Sequence, residues 1–212
     1  LGLAGATADP LQIWVEDWSL ASGEGAAPFP LQLRARDRQI GLALQLSSTE
    51  PPVAHGEHGL SRKGAAVGNA SYYYSVPRID TRGTLDVEDE SFTVTGLTWM
   101  DREWSTSSLE PGVVGWDWFA LHLSDGGSLM FYRLRTPGGE SSSFSGGTWV
   151  RADGGRVALA ADDVSLTVRD YWQSHASGSR YPIAWRFVVP KADIELELRP
   201  YVRGQELNLS VR

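Results

Sequence analysis

Two stretches carry the residues best able to do chemistry: Thr98-Trp99-Met100-Asp101-Arg102-Glu103-Trp104-Ser105 and Gly115-Trp116-Asp117-Trp118-Phe119. Four of the nine tryptophans lie between positions 99 and 118, with Asp101, Glu103 and Asp117 among them. Burial among rings disfavours the charged form of an acid, which is how a carboxyl becomes a proton donor. On a strand, Trp99, Asp101, Glu103 and Ser105 share one face, and Met100, Arg102 and Trp104 share the other. Asp101 and Glu103 then have Cα atoms roughly 6.5–7 Å apart, at ~3.3 Å rise per residue. Two acids that close suit a division into general acid and general base. A protonated Asp101 can deliver its proton to an alkene, and the π face of Trp99 or of a tyrosine can stabilise the resulting cation. The structural alternative is a set of ion pairs with Arg102, the tryptophans serving as packing.

Other candidates carry weaker signals. Asp117 lies on the face of Phe119 and Leu121 and needs a partner such as Arg133 or Arg102, so pairing is the simpler reading. Tyr72 and Tyr74 share one strand face and Tyr73 the other, so at least one ring lines the interior. His55 and His58 flank Gly56-Glu57, but the spacing is not the helical H-E-x-x-H of a zinc site, and no metal is expected. Loop-to-barrel hydrogen bonding is the plain role for His55, with ligand contact or proton transfer as the alternative. Ser105 to Ser108 and Ser141 to Ser143 form no G-x-S-x-G elbow, and no Walker or Rossmann glycine pattern occurs.

The elements that must position these residues read as strands. Ile13 to Leu20 is β-branched and aromatic, and Gly23-Glu24-Gly25 breaks it. Phe29 to Asp37 and Gln39 to Leu46 alternate as a hairpin with one buried face. Thr49 to Gly68 lacks periodicity and reads as a long loop. Ser71 to Val76, Gly83 to Val87 and Ser91 to Thr95 follow as short strands. Trp116 to Leu123 and Ser128 to Arg135 flank Ser124-Asp125-Gly126-Gly127, a hairpin signal. Ser141 to Gly147 reads as a polar linker into Thr148 to Arg151, followed by a tight turn at Asp153-Gly154-Gly155. Val164 to Tyr171, Ile183 to Val189 and Ile194 to Leu198 are further strands. No stretch beyond about ten residues has clean helical periodicity, so the class is all-β, a barrel or sandwich able to enclose an apolar ligand.

The 212-residue chain is 42% hydrophobic and 21% charged, which is globular rather than disordered. A net charge of −7 and a pI near 5.1 argue against nucleic acid and anionic membrane surfaces as partners. There is no cysteine, hence no disulfide and no thiol chemistry. No apolar run approaches the ~18 residues of a membrane span. The C-terminal alternation Leu207-Asn208-Leu209-Ser210-Val211-Arg212 ends without a turn, and the expectation is a piece of a longer protein.

In order, His55-Gly56, Gly59-Leu60-Ser61-Arg62-Lys63-Gly64, Tyr72-Tyr73-Tyr74-Ser75, Trp99 to Trp104, Gly115 to Phe119 and Tyr132-Arg133-Leu134-Arg135 resemble the lipocalin-like proteins grouped with carotenoid 1,2-hydratase, including AttH-type proteins labelled predicted secreted hydrolases. The likeness runs from about Leu11 to Arg212. It implies tandem lipocalin-like (calycin) antiparallel β-barrels, incomplete at both ends, with residues 1–90 as the later part of the first and 91–212 as most of the second. It also implies export from the cytoplasm. In the hydratase branch a Tyr-x-Asp pair carries the chemistry. Asp101 matches the Asp, Trp99 stands where the Tyr would be, and an upstream aromatic falls near Tyr74. That departure places the chain nearer the hydrolase-labelled branch.

Two functions follow. The first is an enzyme that needs no cofactor and acts on an apolar, isoprenoid or lipid-like small molecule by acid-catalysed hydration. Asp101 and Glu103 would be catalytic, and Trp99, Tyr74, Tyr72, Trp116, Trp118 and His55 would contact the substrate. The second is a non-catalytic carrier that uses the barrel as an apolar pocket.

Overall fold

The computed structural model describes residues 2–23, 28–106 and 109–207. Every sheet pairing is antiparallel. Nine strands form the first sheet: β1 (Ala4–Ala8), β2 (Leu11–Val15), β3 (Trp18–Ser22), β4 (Leu31–Asp37), β5 (Ile40–Ser47), β6 (Val53–Ala54), β7 (Leu60–Arg62), β8 (Ala70–Val87) and β9 (Glu90–Trp104). A four-stranded sheet follows, β10 (Gly115–His122), β11 (Ser128–Arg135), β12 (Gly146–Val150) and β13 (Arg156–Ala160). The last sheet has three strands, β14 (Ser165–Gln173), β15 (Arg180–Val189) and β16 (Ile194–Leu198). The only helical turns among the described residues are single 3-10 turns at Ala161–Asp163 and Pro190–Ala192. The fold is all-β and lipocalin-like.

Several elements differ from the sequence reading. Ile13 to Leu20 is not one strand. It turns at Glu16-Asp17, where Glu16 takes a positive φ of 51°, and splits into the β2–β3 hairpin. The supposed loop from Thr49 to Gly68 contributes β6 and β7, both paired to β8. Ser71 to Val76 and Gly83 to Val87 merge into the 18-residue β8, continuous except for a bulge between Val76 and Ile79. Gly146-Gly147 belongs to β12 rather than to a linker. The division near residue 90 falls in the β8–β9 turn, and β9 hydrogen-bonds to β8 along its length, within the nine-stranded sheet. Glu24-Gly25, Ser107-Ser108 and residues 208–212 lie outside the described residues.

Two cores flank a central layer. Leu31, Leu46, Val76 and Ile79 are buried with Leu20, Leu33, Leu44 and Met100 on the first sheet. Phe119, Leu129, Phe131, Trp185, Phe187 and Val189 fill the space between the second and third sheets. Strand β11 is buried on both faces. Leu129 and Phe131 point to the second core, while Met130, Tyr132 and Leu134 pack against Tyr73 and Trp99 of the β8–β9 ribbon. Alternation along one strand therefore serves two interiors. Polar contacts tie the layers where that ribbon bulges. Arg78 donates to the carbonyls of Leu123 (2.9 Å) and Gly127 (2.8 Å), and His122 Nε2 lies 2.5 Å from the Pro77 carbonyl.

Close approach of β5 to β8 explains Gly83. A Cβ there would sit 2.0 Å from the Ala43 carbonyl oxygen, whereas one at Gly96 in β9 would meet nothing within 4 Å. Gly83→Ala should lower the unfolding free energy by about 2–4 kcal/mol, and Gly96→Ala should change it by less than ~1 kcal/mol. Equal effects in chemical denaturation would show that this contact does not constrain the ribbon.

Candidate active site

The site begins with register. Tyr73 stands opposite Glu103 and Ser75 opposite Asp101 across the β8–β9 ladder. These odd-numbered residues face β10 and β11, which present Trp116, Trp118 and Tyr132 from the other side. Between them lies a cleft of about 500 Å³. Trp104, Leu109, Trp116, Trp118 and Leu134 give it apolar walls, and Tyr73, Tyr132, Lys63 and Glu103 give it polar groups.

Asp101 sits behind Tyr73. Its carboxylate accepts hydrogen bonds from Tyr73 Oη (3.1 Å), from Trp99 Nε1 (2.9 Å) and from Ser75 Oγ. Tyr73 Oη in turn accepts a hydrogen bond from Trp118 Nε1 (2.9 Å). Burial, reinforced by the charge of Asp101 and opposed by the Trp118 bond, pushes the Tyr73 phenol far above its ordinary range. Among the described residues no lysine or arginine forms an ion pair with Asp101. Arg102 points to the other face, opposite Tyr74.

His55 closes the back of the network. Its ring is 2% exposed and lies 4.5 Å from the Tyr73 ring, tilted against it. Nε2 is 2.7 Å from Ser75 Oγ and Nδ1 is 2.9 Å from Thr148 Oγ1 of β12. Because Ser75 gives its proton to Asp101, its oxygen must accept from His55 Nε2–H. Nδ1 is then the acceptor for the Thr148 hydroxyl. This arrangement needs a neutral imidazole. Burial, helped by the nearby charges of Lys63 and Arg156, lowers the His55 pKa to about 4.

Glu103 belongs to the cleft itself. It accepts from Ser71 Oγ (2.6 Å) and pairs with Lys63 Nζ (3.0 Å). Asp117 lies on the opposite face of β10 from Trp116 and Trp118. It pairs with Arg133 (2.6 Å), whose guanidinium stacks over Trp185, and with Arg135 (3.6 Å). It is structural, as its surroundings in the sequence suggest.

Of the residues read from the sequence as contacting substrate, Trp116, Trp118 and Glu103 line the cleft. Asp101 and Trp99 stand one layer behind it, and His55 a layer further. Tyr72 and Tyr74 do not reach it. They share the outer face of β8, where both rings contact Trp104. Tyr73 takes the place assigned to them, because pairing with β9 turns that face inward. Lys63, Ser75, Tyr132 and Thr148 are further participants that sequence reasoning missed. Alternation marks Tyr73 as distinct from its neighbours, but only register says which face is inside. Among the described residues no cluster of three or more His, Cys, Asp or Glu can hold a metal ion, and His58 is exposed.

A family profile described as AttH-like matches residues 1–212. The chain belongs to the AttH-like family. Among curated proteins it is 25% identical over 183 residues to dehydratase asqC of Emericella nidulans, covering 82% of this chain and 50% of that protein. It is 22% identical over 158 residues to kievitone hydratase of Fusarium solani subsp. phaseoli, covering 71% and 43%. This AttH-like chain thus spans about half the length of the curated relatives it matches. Among solved structures, one described as an AttH from Nitrosomonas europaea superposes with a TM-score of 0.84 at 30% identity, over 93% of this chain and 59% of that one. Kievitone hydratase from Nectria haematococca shares the fold, with a TM-score of 0.66 at 20% identity over 85% and 55%.

The neutral His55 has a consequence for stability. In the unfolded chain it titrates near 6.5, in the fold only near about 4. Its contribution is therefore complete above pH 6.5 and is lost as the pH falls toward 4, in total about 3 kcal/mol. His55→Gln should flatten the fall in unfolding free energy between pH 7 and pH 4 by about that amount. Parallel curves for the two proteins would refute a buried neutral imidazole.

Proposed function

We propose that this cleft adds water to a carbon–carbon double bond of a small apolar molecule, or removes water from the corresponding alcohol. The observation that carries the reading is Tyr73, which lines the cleft and whose hydroxyl hydrogen-bonds to Asp101 at 3.1 Å. The names of the hydratase and dehydratase relatives support the same reaction class.

Because the phenolate of Tyr73 is strongly disfavoured, the tyrosine works as a relay and not as a free acid. In the hydration direction Asp101 first takes up a proton, and its hydrogen bond with Tyr73 turns round so that the carboxyl donates. It passes its proton to Tyr73 Oη as the Tyr73 proton bonds to one alkene carbon. A water oxygen bonds to the other carbon and loses its extra proton to Glu103. Solvent carries that proton from Glu103 back to Asp101, so the site returns to its starting state. Dehydration follows the same steps in reverse. The tryptophan walls offer ring faces to the developing positive charge, and no step calls on a cofactor. Isoprenoid and lipid-like substrates fit the apolar walls.

The test is oxygen exchange. Incubation with a panel of tertiary alcohols and their alkenes in H₂¹⁸O, read by mass spectrometry, should show label entering the alcohol. Tyr73→Phe and Asp101→Asn should each slow exchange about 10²–10⁴-fold while the melting temperature moves by only a few degrees. Exchange at the buffer rate in the wild type, with ligands still quenching tryptophan fluorescence, would instead identify a carrier.

A further inference from the structure

We infer that Lys63 makes the cleft a receptor for molecules that join a flat apolar body to one acidic oxygen, a phenolate or a carboxylate. This deepens the water-addition reading and rests on it for the reaction, but not for the binding. Lys63 and Lys191 are the only lysines of the chain. Lys191 pairs at the surface with Asp163, whereas Lys63 lies at the cleft with its side chain 17% exposed. Its Nζ sits 3.4 Å from the centroid of the Tyr132 ring and 5.3 Å from that of Tyr73. The Tyr132 hydroxyl is engaged with Ser61 Oγ at 2.9 Å, so the cation meets the ring and not the oxygen.

An ammonium has three donors. Glu103 Oε1 forms an ion pair with it at 3.0 Å, and the same oxygen also accepts from Ser71. Among the described residues no other side chain pairs with Lys63 Nζ. Ring faces attract a cation but do not replace a hydrogen-bond acceptor. The remaining donors of the ammonium are open to the cleft and its solvent, and an oxyanion entering the cleft can take the place of that solvent. A cationic ligand would be repelled, and a neutral one would gain no charge-assisted hydrogen bond.

The rest of the ligand is set by the walls. Trp104, Trp116 and Trp118 keep 46–58% of their surface exposed around the opening. Wide exposed ring faces beside a cation favour a planar partner that can stack on them. Glu103 competes with the ligand for Lys63, so the pair works as a gate that an anion must displace or share.

Isothermal titration calorimetry with two matched pairs tests this: 2-naphthoate against 2-naphthamide, and 4-nitrophenolate at pH 8 against 4-nitroanisole. At least one anion should bind about tenfold or more tighter than its neutral isostere. Preference in the first pair alone identifies a carboxylate, in the second alone a phenolate. Lys63→Met should reduce the preference to less than about twofold and leave isostere affinity unchanged. Glu103→Gln, which removes the internal competitor, should tighten anion binding. No preference in the wild type, a preference that survives in Lys63→Met, or weaker anion binding in Glu103→Gln would overturn the inference. Tyr73→Phe separates it from the reaction: the anion preference should persist in that variant even where oxygen exchange is lost.

Discussion

The pairing of β8 with β9 is the constraint on which the site depends. In that ladder Tyr73 faces Glu103 and Ser75 faces Asp101. A slip of one residue would pair odd positions of one strand with even positions of the other, so Tyr73 and Ser75 could no longer share a face with the two carboxylates. Two features hold the register. The bulge between Val76 and Ile79 absorbs a mismatch at Pro77, which cannot donate to the ladder. Arg78 and His122 then tie that bulge to the next sheet through backbone carbonyls. The irregular part of the ribbon is thus the part most firmly anchored.

With the register held, the polar interior becomes affordable. Asp101 is half-buried without a cationic partner, and three donors stand where water would otherwise bind. Two of those donors also accept a hydrogen bond. Ser75 takes a proton from His55 and gives one to Asp101, and Tyr73 takes one from Trp118 and gives one to Asp101. A buried network that is fully satisfied stiffens its members, whereas a half-satisfied one is costly. The charged pair of Lys63 and Glu103 stands apart at the cleft wall, where solvent and ligand can reach it.

Much of this was legible from residue types and alternation. The β4–β5 and β10–β11 hairpins follow their period-two patterns and turn residues, and the ion pairing of Asp117 followed from one acid on an apolar face. Trp116, Trp118 and Glu103 line the cleft because ring-and-acid clusters concentrate where strands face an interior. Other features were hidden for physical reasons. Gly83, Gly96 and Pro77 look like breaks, yet long ladders tolerate glycine and proline at close approaches and bulges. The inward tyrosine depends on register between strands nearly thirty residues apart, which local pattern does not encode. His55 and Lys63 arrive from a segment without periodicity, and the short strands that carry them there form only against β8.

The indole donors of Trp99 and Trp118 have a further meaning. An indole N–H can only give a hydrogen bond, and it does not titrate in the physiological range. Both point toward Asp101, one directly and one through Tyr73. Hydroxyl chains are normally free to reverse, all members rotating together. Here two links are fixed, Trp99 to Asp101 and Trp118 to Tyr73, while the bond between Tyr73 and Asp101 stays free to reverse. Protons moving through Tyr73 are therefore confined to the path between Asp101 and the cleft, because the Trp118 side of its oxygen is held by a donor whatever the acidity of the surroundings.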